Sequence, residues 1–391
     1  MTRTSRIEID ASAIAHNAAV FRGVLGGQTG LGAVVKADAY GHGLRTLLPA
    51  LQPLVDALYV ITSADALTIR AWEAEAGRPP VPVLVLGVIE ADEVVPLALA
   101  GVRAVLGDPG WRSWIPPLRE AGLRLGVDVH VDSGLGREGF LPDQVAAELD
   151  GLVDAADVLD VVGVMTHFAD TEDVTEQTYA LRQLREFDRG VAAVAALVGR
   201  PGLQRHTAAS APTLVLPDAR REVVRVGIAF YGLWPSRETR ISTLLVRGEL
   251  PRLDPVLSWR VESQLVKELP AGSFVGYGCT HRCTHDTRIA VLPVGYYDGY
   301  PRSVSHRAHV LVAGRRCAVL GRVMMNHIII DVTDVPPAGP TVVATLLGRD
   351  GNEEVSADDL AGWAGTINYE IVARLGAHLP RVLVAGAARV G

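Results

Sequence analysis

Short apolar runs rich in β-branched residues recur at positions 32–35, 58–61, 81–86, 102–106, 125–131, 161–165, 203–206 and 223–226. Their near-continuous apolar character predicts strands covered on both faces. Between most of them lie stretches with apolar residues at helical spacing, at 66–76, 91–99, 142–155 and 176–197. Eight alternating strand and helix units match the count and size of a (β/α)8 TIM-like barrel, an architecture of about 250 residues. A doubly wound sheet fits less well, because no G-x-G-x-x-G follows a first strand.

After Pro235 the pattern changes to alternating strands, at 259–266, 288–294, 309–311, 316–319, 328–332 and 341–347, and helical periodicity nearly vanishes. Late helices are expected only near 357–363 and 369–375. The expected organisation is therefore a barrel over 1–235 followed by a mainly β domain over 236–391, a length that suits two domains.

A hydrophobic fraction of 49% with 21% charged residues describes a folded globular protein rather than a disordered one. The net charge of −7 and scattered basic residues argue against nucleic acid as the main partner. No run of eighteen uninterrupted apolar residues occurs, and residues 1–30 lack the apolar core of a signal peptide, so a cytoplasmic protein without membrane contact is expected. Three cysteines, Cys279, Cys283 and Cys317, make no disulfide framework in so long a chain. Cys279, His281, Cys283 and His285 are crowded within seven residues without the intervening loop of a zinc finger, so no metal is expected.

In such barrels, chemistry collects at the C-terminal ends of the strands. Lys36 ends the first strand, Arg137 follows the fifth, His167 the sixth, His206 and Ser210 lie at and after the end of the seventh, and Arg225 precedes Gly227 in the eighth. Singly these have structural explanations: a snorkelling lysine, a core histidine, an arginine paired with Asp218 or Glu222, a helix-capping serine. Jointly, a lysine, two arginines and a histidine at one mouth point to an anionic ligand that is clamped and to proton transfer. Ser210 before Ala211-Pro212-Thr213 can open a helix, and Gly227-Ile228-Ala229 offers backbone N–H groups, a combination suited to phosphate.

These residues sit in longer motifs: Val35-Lys36-Ala37-Asp38-Ala39-Tyr40-Gly41-His42-Gly43, Val131-Asp132-Ser133-Gly134-Leu135-Gly136-Arg137-Glu138-Gly139, Thr166-His167-Phe168-Ala169 and Arg225-Val226-Gly227-Ile228-Ala229-Phe230-Tyr231-Gly232-Leu233. They continue with Val275-Gly276-Tyr277-Gly278, Gly295-Tyr296-Tyr297-Asp298-Gly299-Tyr300-Pro301-Arg302, Gly321-Arg322-Val323-Met324-Met325 and Thr366-Ile367-Asn368-Tyr369-Glu370. In order and spacing the chain resembles, over nearly its whole length, the alanine racemase family of pyridoxal 5'-phosphate enzymes, which have a barrel and a C-terminal β domain. The resemblance implies interconversion of L- and D-alanine by two bases, because one must remove the α-proton and another return it on the opposite face. Lys36 would bind the cofactor's aldehyde carbon and, once released, serve one face; Tyr277 would serve the other. Arg225 would face the pyridine nitrogen and be oriented by His167. Tyr40, Ser210, Gly227, Ile228 and Tyr369 would hold the phosphate, and Arg137 and Met325 the substrate. Tyr296 and Asn326 would lie at the entrance. The resemblance also implies a homodimer, with Tyr277, Tyr296 and Met325 reaching the partner's cofactor.

The chain departs from the family pattern at four places. His130 stands where the family commonly has a lysine, often carbamylated, that steadies the arginine, so another anion is expected beside Arg137. Ala209 replaces an asparagine on the phosphate side, Asn326 an aspartate at the entrance, and His281 a frequent tyrosine near Tyr277. The entrance changes point to a larger or polar amino acid as an alternative substrate, in racemisation, epimerisation or side-chain cleavage. A decarboxylase of related architecture is disfavoured by the missing Gly-Gly-Gly loop and Cys-Asp-x-x-Gly-Tyr-like segment, and a non-catalytic cofactor carrier by the β domain and Tyr277.

Overall fold

The computed structural model describes residues 5–172, 175–337 and 339–385, so the start of the first expected domain and the end of the second lie outside the described residues. The chain forms two compact units: 14–37 with 48–254, and the described parts of 1–13, 38–47 and 255–391.

The strand β1 (Ser5–Asp10) belongs to the second unit, and is followed in the chain by eight strands of the first: β2 (Gly30–Val34), β3 (Ala57–Val60), β4 (Val83–Val85), β5 (Arg103–Leu106), β6 (Leu125–His130), β7 (Leu159–Met165), β8 (Gln204–His206) and β9 (Val223–Val226). β2 to β8 pair in sequence order, all parallel, and β2 also pairs with β9. Between β8 and β9 a backbone bond from Arg225 N–H to Ala208 C=O, 2.8 Å, bridges the remaining gap, so the barrel is nearly closed. The apolar runs become these strands because helices outside and packed side chains inside keep them from water: every residue of β3 and β4 is buried. Gly32 leaves room for the Tyr59 ring, since a Cβ there would stand 2.3 Å from ring atom Cε2.

One expectation is corrected in this unit. Helix formation does not cease at Pro235: Arg237–Arg247 is an α-helix, its Ser236 hydroxyl accepting the Thr239 N–H at 3.0 Å, and it belongs with the barrel. The helix buries Thr239, Ser242 and Thr243 while exposing Ile241, Leu244, Leu245 and Val246. Its apolar residues therefore do not mark the buried face, and the periodic signal of a core-facing helix is lost.

In the second unit, Leu265–Leu269, Thr287–Leu292, Ile328–Asp331, Arg315–Leu320, His309–Val312, Val343–Asp350, β10 (Leu257–Glu262), β1 and Arg381–Val384 lie side by side, with Glu353–Val355 added to Val343–Asp350. β1 was expected within the barrel domain; it instead pairs antiparallel with β10 and parallel with Arg381–Val384. Its alternating burial suits a sheet with one covered face rather than a barrel wall. The run expected at 259–266 divides at Ser263-Gln264 into two strands.

Gly41 is the tightest backbone approach of this unit. It has φ of 78°, and a Cβ would fall 1.9 Å from the Val372 carbonyl oxygen. Gly41→Ala is expected to cost about 3 kcal/mol or more, through clash and left-handed strain together. Gly26, with φ of 68° and nothing within 4 Å of its Cβ position, isolates the strain. Gly26→Ala is expected to cost about 1 kcal/mol. Urea melts of both variants check this, and equal losses would show that the Val372 contact is relieved by movement.

Candidate active site

Lys36 follows β2 at the point where the backbone turns left-handed. Ala37, Asp38, Ala39 and Tyr40 all have φ of 53–54°, one turn of left-handed helix. Such a turn costs roughly 1–2 kcal/mol per residue. Local bonds offset part of this: Asp38 C=O accepts from Gly43 N–H at 2.9 Å, and its carboxylate caps the Leu44 N–H at 2.7 Å. His42 Nδ1 lies 3.0 Å from the carbonyls of both Ala39 and Tyr40, so it must carry the proton. Strain held this way is common where a side chain has to be aimed.

Lys36 is half-buried, and its amine is held below the usual lysine range, first by burial and then by the positive charges of Arg137 and Arg225; Glu138 opposes them. Arg225 is almost fully buried. Its guanidinium donates to His206 C=O at 2.5 Å and Thr166 C=O at 2.7 Å, with Thr207 C=O at 3.3 Å. His206 Nδ1 lies 2.9 Å away and His167 Nδ1 3.5 Å, so His206 and the carbonyls orient Arg225 more closely than His167 does. The alternative partner Glu222 is engaged by Arg205. Burial followed by Arg225, Arg137 and Lys36 pushes His167 down to about 3, leaving it neutral.

Ser210 opens the helix Ser210–Val215, and its Oγ accepts the N–H groups of Gly227 at 2.9 Å and Ala229 at 3.4 Å. The barrel thus brings Ser210, Gly227 and Ile228 to one place. Arg137 pairs with the adjacent Glu138. His130 is buried, with its pKa lowered to about 4 by burial and Arg225. The His130 departure led to the expectation of a bound anion or another carboxylate beside Arg137; Glu138 is the carboxylate paired with Arg137 here.

In the other unit, the rings of Tyr40 and Tyr369 lie 6.3 Å apart. Tyr277, Tyr296, Met325 and Asn326 line one cleft of about 450 Å³ together with Arg302, Arg322 and His327. Beside it, a Cβ at Gly295 would meet the Met324 carbonyl at 2.1 Å, and Tyr296 and Tyr297 N–H bond the Met324 and Met325 carbonyls, each at 3.0 Å. Tyr277 is 71% exposed and Met325 54%. Among the described residues, no group of three or more His, Cys, Asp or Glu could hold a metal ion. Also among these residues, no helix is long and apolar enough to cross a membrane.

Sequence reasoning missed Arg302, Arg322 and His327 as cleft residues and Asp128 as an interior group. Asp128 had a signal: a carboxylate in the middle of an apolar run.

The family model described as "Alanine racemase, N-terminal domain" matches residues 9–235, and "Alanine racemase, C-terminal domain" matches 256–383. An alanine racemase of Leptospira interrogans is 34% identical over 392 residues, covering 98% of this chain and 96% of that protein. The crystal structure of alanine racemase from Bacillus anthracis, with bound L-Ala-P, superposes with a TM-score of 0.87 at 30% identity, covering 100% of this chain and 97% of that one. That from Bartonella henselae, with covalently bound pyridoxal phosphate, has a TM-score of 0.80 at 23% identity, covering 97% of this chain and 99% of that one. With both domain models matched in order and the parallel barrel and mainly β unit in place, the chain belongs to the alanine racemase family, whose members are isomerases.

Proposed function

We propose that this chain interconverts L- and D-alanine with pyridoxal 5'-phosphate as cofactor, Lys36 and Tyr277 acting as bases on opposite faces of the α-carbon. The observation that carries this reading is Lys36 itself, an amine that burial, Arg137 and Arg225 bias toward the neutral, nucleophilic form.

The residues present fit the cofactor. Ser210 Oγ accepts from backbone N–H groups, so its own proton is free to be given to a phosphate oxygen. Gly227 and Ile228 would add backbone contacts, and Tyr40 and Tyr369 hydroxyls the remaining ones. Arg225 would meet the pyridine nitrogen; its carbonyl partners keep it a donor at that atom. The bound cofactor supplies the electron sink that makes the α-proton acidic. Arg225 tempers that sink, because a guanidinium that keeps its proton leaves the ring less electron-withdrawing than a protonated nitrogen would. Arg137 would take the substrate carboxylate, steadied by Glu138. The exposed Tyr277, Tyr296 and Met325 are in keeping with a homodimer in which each β unit serves its partner's cofactor. The three free cysteines accord with a cytoplasmic site of action.

Incubation with cofactor and a panel of L-amino acids in deuterated water tests the function. Deuterium at the α-carbon of alanine with loss of chirality is expected, whereas binding without exchange for any amino acid would sink the proposal. The panel includes polar and acidic amino acids, because Asn326, Arg302, Arg322 and His327 line the cleft with no carboxylate among its other lining residues. Faster exchange with one of these would favour the larger-substrate reading. Tyr277→Phe is expected to slow exchange of one alanine enantiomer on the order of 10²-fold or more, with a smaller effect on the other. Equal rates for both, unchanged from wild type, would refute the two-base assignment.

A further inference from the structure

We infer that Asp128 is a positioning residue that sets the tautomer of His206 and, through it, the orientation of Arg225. The argument begins with donors and acceptors. A guanidinium only donates, so His206 Nδ1, 2.9 Å from Arg225 Nη1, has to accept. A neutral imidazole that accepts at Nδ1 carries its proton on Nε2. That Nε2 lies 3.8 Å from Asp128 Oδ2, and neither atom has a hydrogen-bond partner among the described residues. Both side chains are wholly buried.

At 3.8 Å the pair is too long for a hydrogen bond. In so buried a setting, however, an N–H dipole aimed at a carboxylate is strongly favoured over a lone pair aimed at it. The opposite tautomer would suffer twice, setting N–H against the guanidinium and a lone pair against the carboxylate. A doubly protonated His206 is disfavoured by burial and by the charges of Arg225 and Arg103.

The barrel is built around this carboxylate. Gly163 opposite has no side chain, and a Cβ there would fall 2.3 Å from Asp128 Oδ1. Arg103 Nη1 lies 3.4 Å from the same oxygen, and both Arg103 Nη atoms lie 3.1 Å from Gln204 Oε1. The interior therefore runs Arg103, Asp128, His206, Arg225, with a carboxylate and a neutral imidazole between two cations.

The inference rests on the proposed function only for what Arg225 does to the cofactor; the tautomer is a property of the chain alone. The test is long-range proton–nitrogen correlation on ¹⁵N-histidine-labelled protein, with His206 assigned from a His206→Gln variant. A protonated Nε2 and an unprotonated Nδ1 are expected in wild type. Asp128→Asn is expected to disturb that pattern, because an amide that keeps its oxygen toward Arg103 sets its N–H2 donor against His206 Nε2; a spectrum unchanged from wild type would count against the inference. Asp128→Leu is expected to yield mixed tautomers and about tenfold lower kcat, with KM changed less than about twofold. A wild-type His206 protonated on Nδ1 would overturn the inference, as would Asp128→Leu with tautomer and kcat unchanged. Should Asp128→Leu fail to fold, the wild-type and Asp128→Asn spectra decide. A wild type with the expected tautomer but no racemisation would instead refute the functional proposal and leave this one standing.

Discussion

Lys36→Ala is expected to lower alanine racemisation by on the order of 10⁴-fold, because one substitution removes both the cofactor's attachment point and one of the two proton-transfer groups. The amine is poised by its setting. It follows a strand whose residues from Leu31 onward are buried, and two guanidinium groups raise the cost of its charge. Lys36→Arg keeps a cation but cannot lose its proton, so it is expected to be as inactive as the alanine variant. Thermal melts of both variants without cofactor, compared with the cofactor-free wild type, separate loss of chemistry from loss of fold. Loss of the absorbance that reports covalent cofactor attachment, with partial rescue of Lys36→Ala by added methylamine, would complete the result. Racemisation within tenfold of wild type in either variant would remove Lys36 from the mechanism.

Acid is expected to destabilise the protein well before its exposed carboxylates titrate. Burial, with neighbouring arginines, holds His42 and His130 near 4 and His167 near 3, and His206 well below the ordinary histidine value. A histidine whose folded pKa is depressed binds fewer protons folded than unfolded, so its stabilisation is complete above about 6.5 and is lost as pH falls toward the folded value. At pH 5, His42, His130 and His167 have each cost about 2 kcal/mol relative to pH 7.5, and His206 adds to the loss in the same direction. Asp128 works in the opposite sense: burial raises it to about 6 against the pull of Arg103 and Arg225, so it returns some stability over the same fall in pH. The first three histidines against Asp128 leave a net loss on the order of 5 kcal/mol, a large share of a typical folding free energy. Urea melts at pH 7.5 and pH 5.0 measure it directly. Equal midpoints would show that these histidines are hydrated and protonated within the fold.

How much of this was legible in the chain differs from residue to residue. The barrel strands were readable because a strand covered on both faces is a local fact, visible as a short unbroken apolar run. The helix Arg237–Arg247 was not, because it buries its threonines and exposes its aliphatics, so local periodicity carried no true signal. The first strand was missed for a related reason: Ser5–Asp10 is short, and its partners lie some 250 and 370 residues away. Gly41 stood in a recognisable motif, but its need for no side chain comes from the Val372 carbonyl.

Lys36, Ser210, Arg225 and Gly227 were legible as residue types at strand ends, and their order along the chain carried the family resemblance. What that order could not contain is which polar groups meet. Glu222 was a reasonable partner for Arg225 by proximity in sequence, yet it pairs with Arg205, while Arg225 turns inward to His206 and the carbonyl of Thr166. By itself, then, the sequence determined the strand runs, the motifs and the lysine that names the chemistry, since these depend on residue type and local spacing. The tertiary structure alone decided the charge and tautomer at the site, because desolvation, and the choice of Asp128, His206 and Arg103 as neighbours, arise only when distant strands close into one barrel.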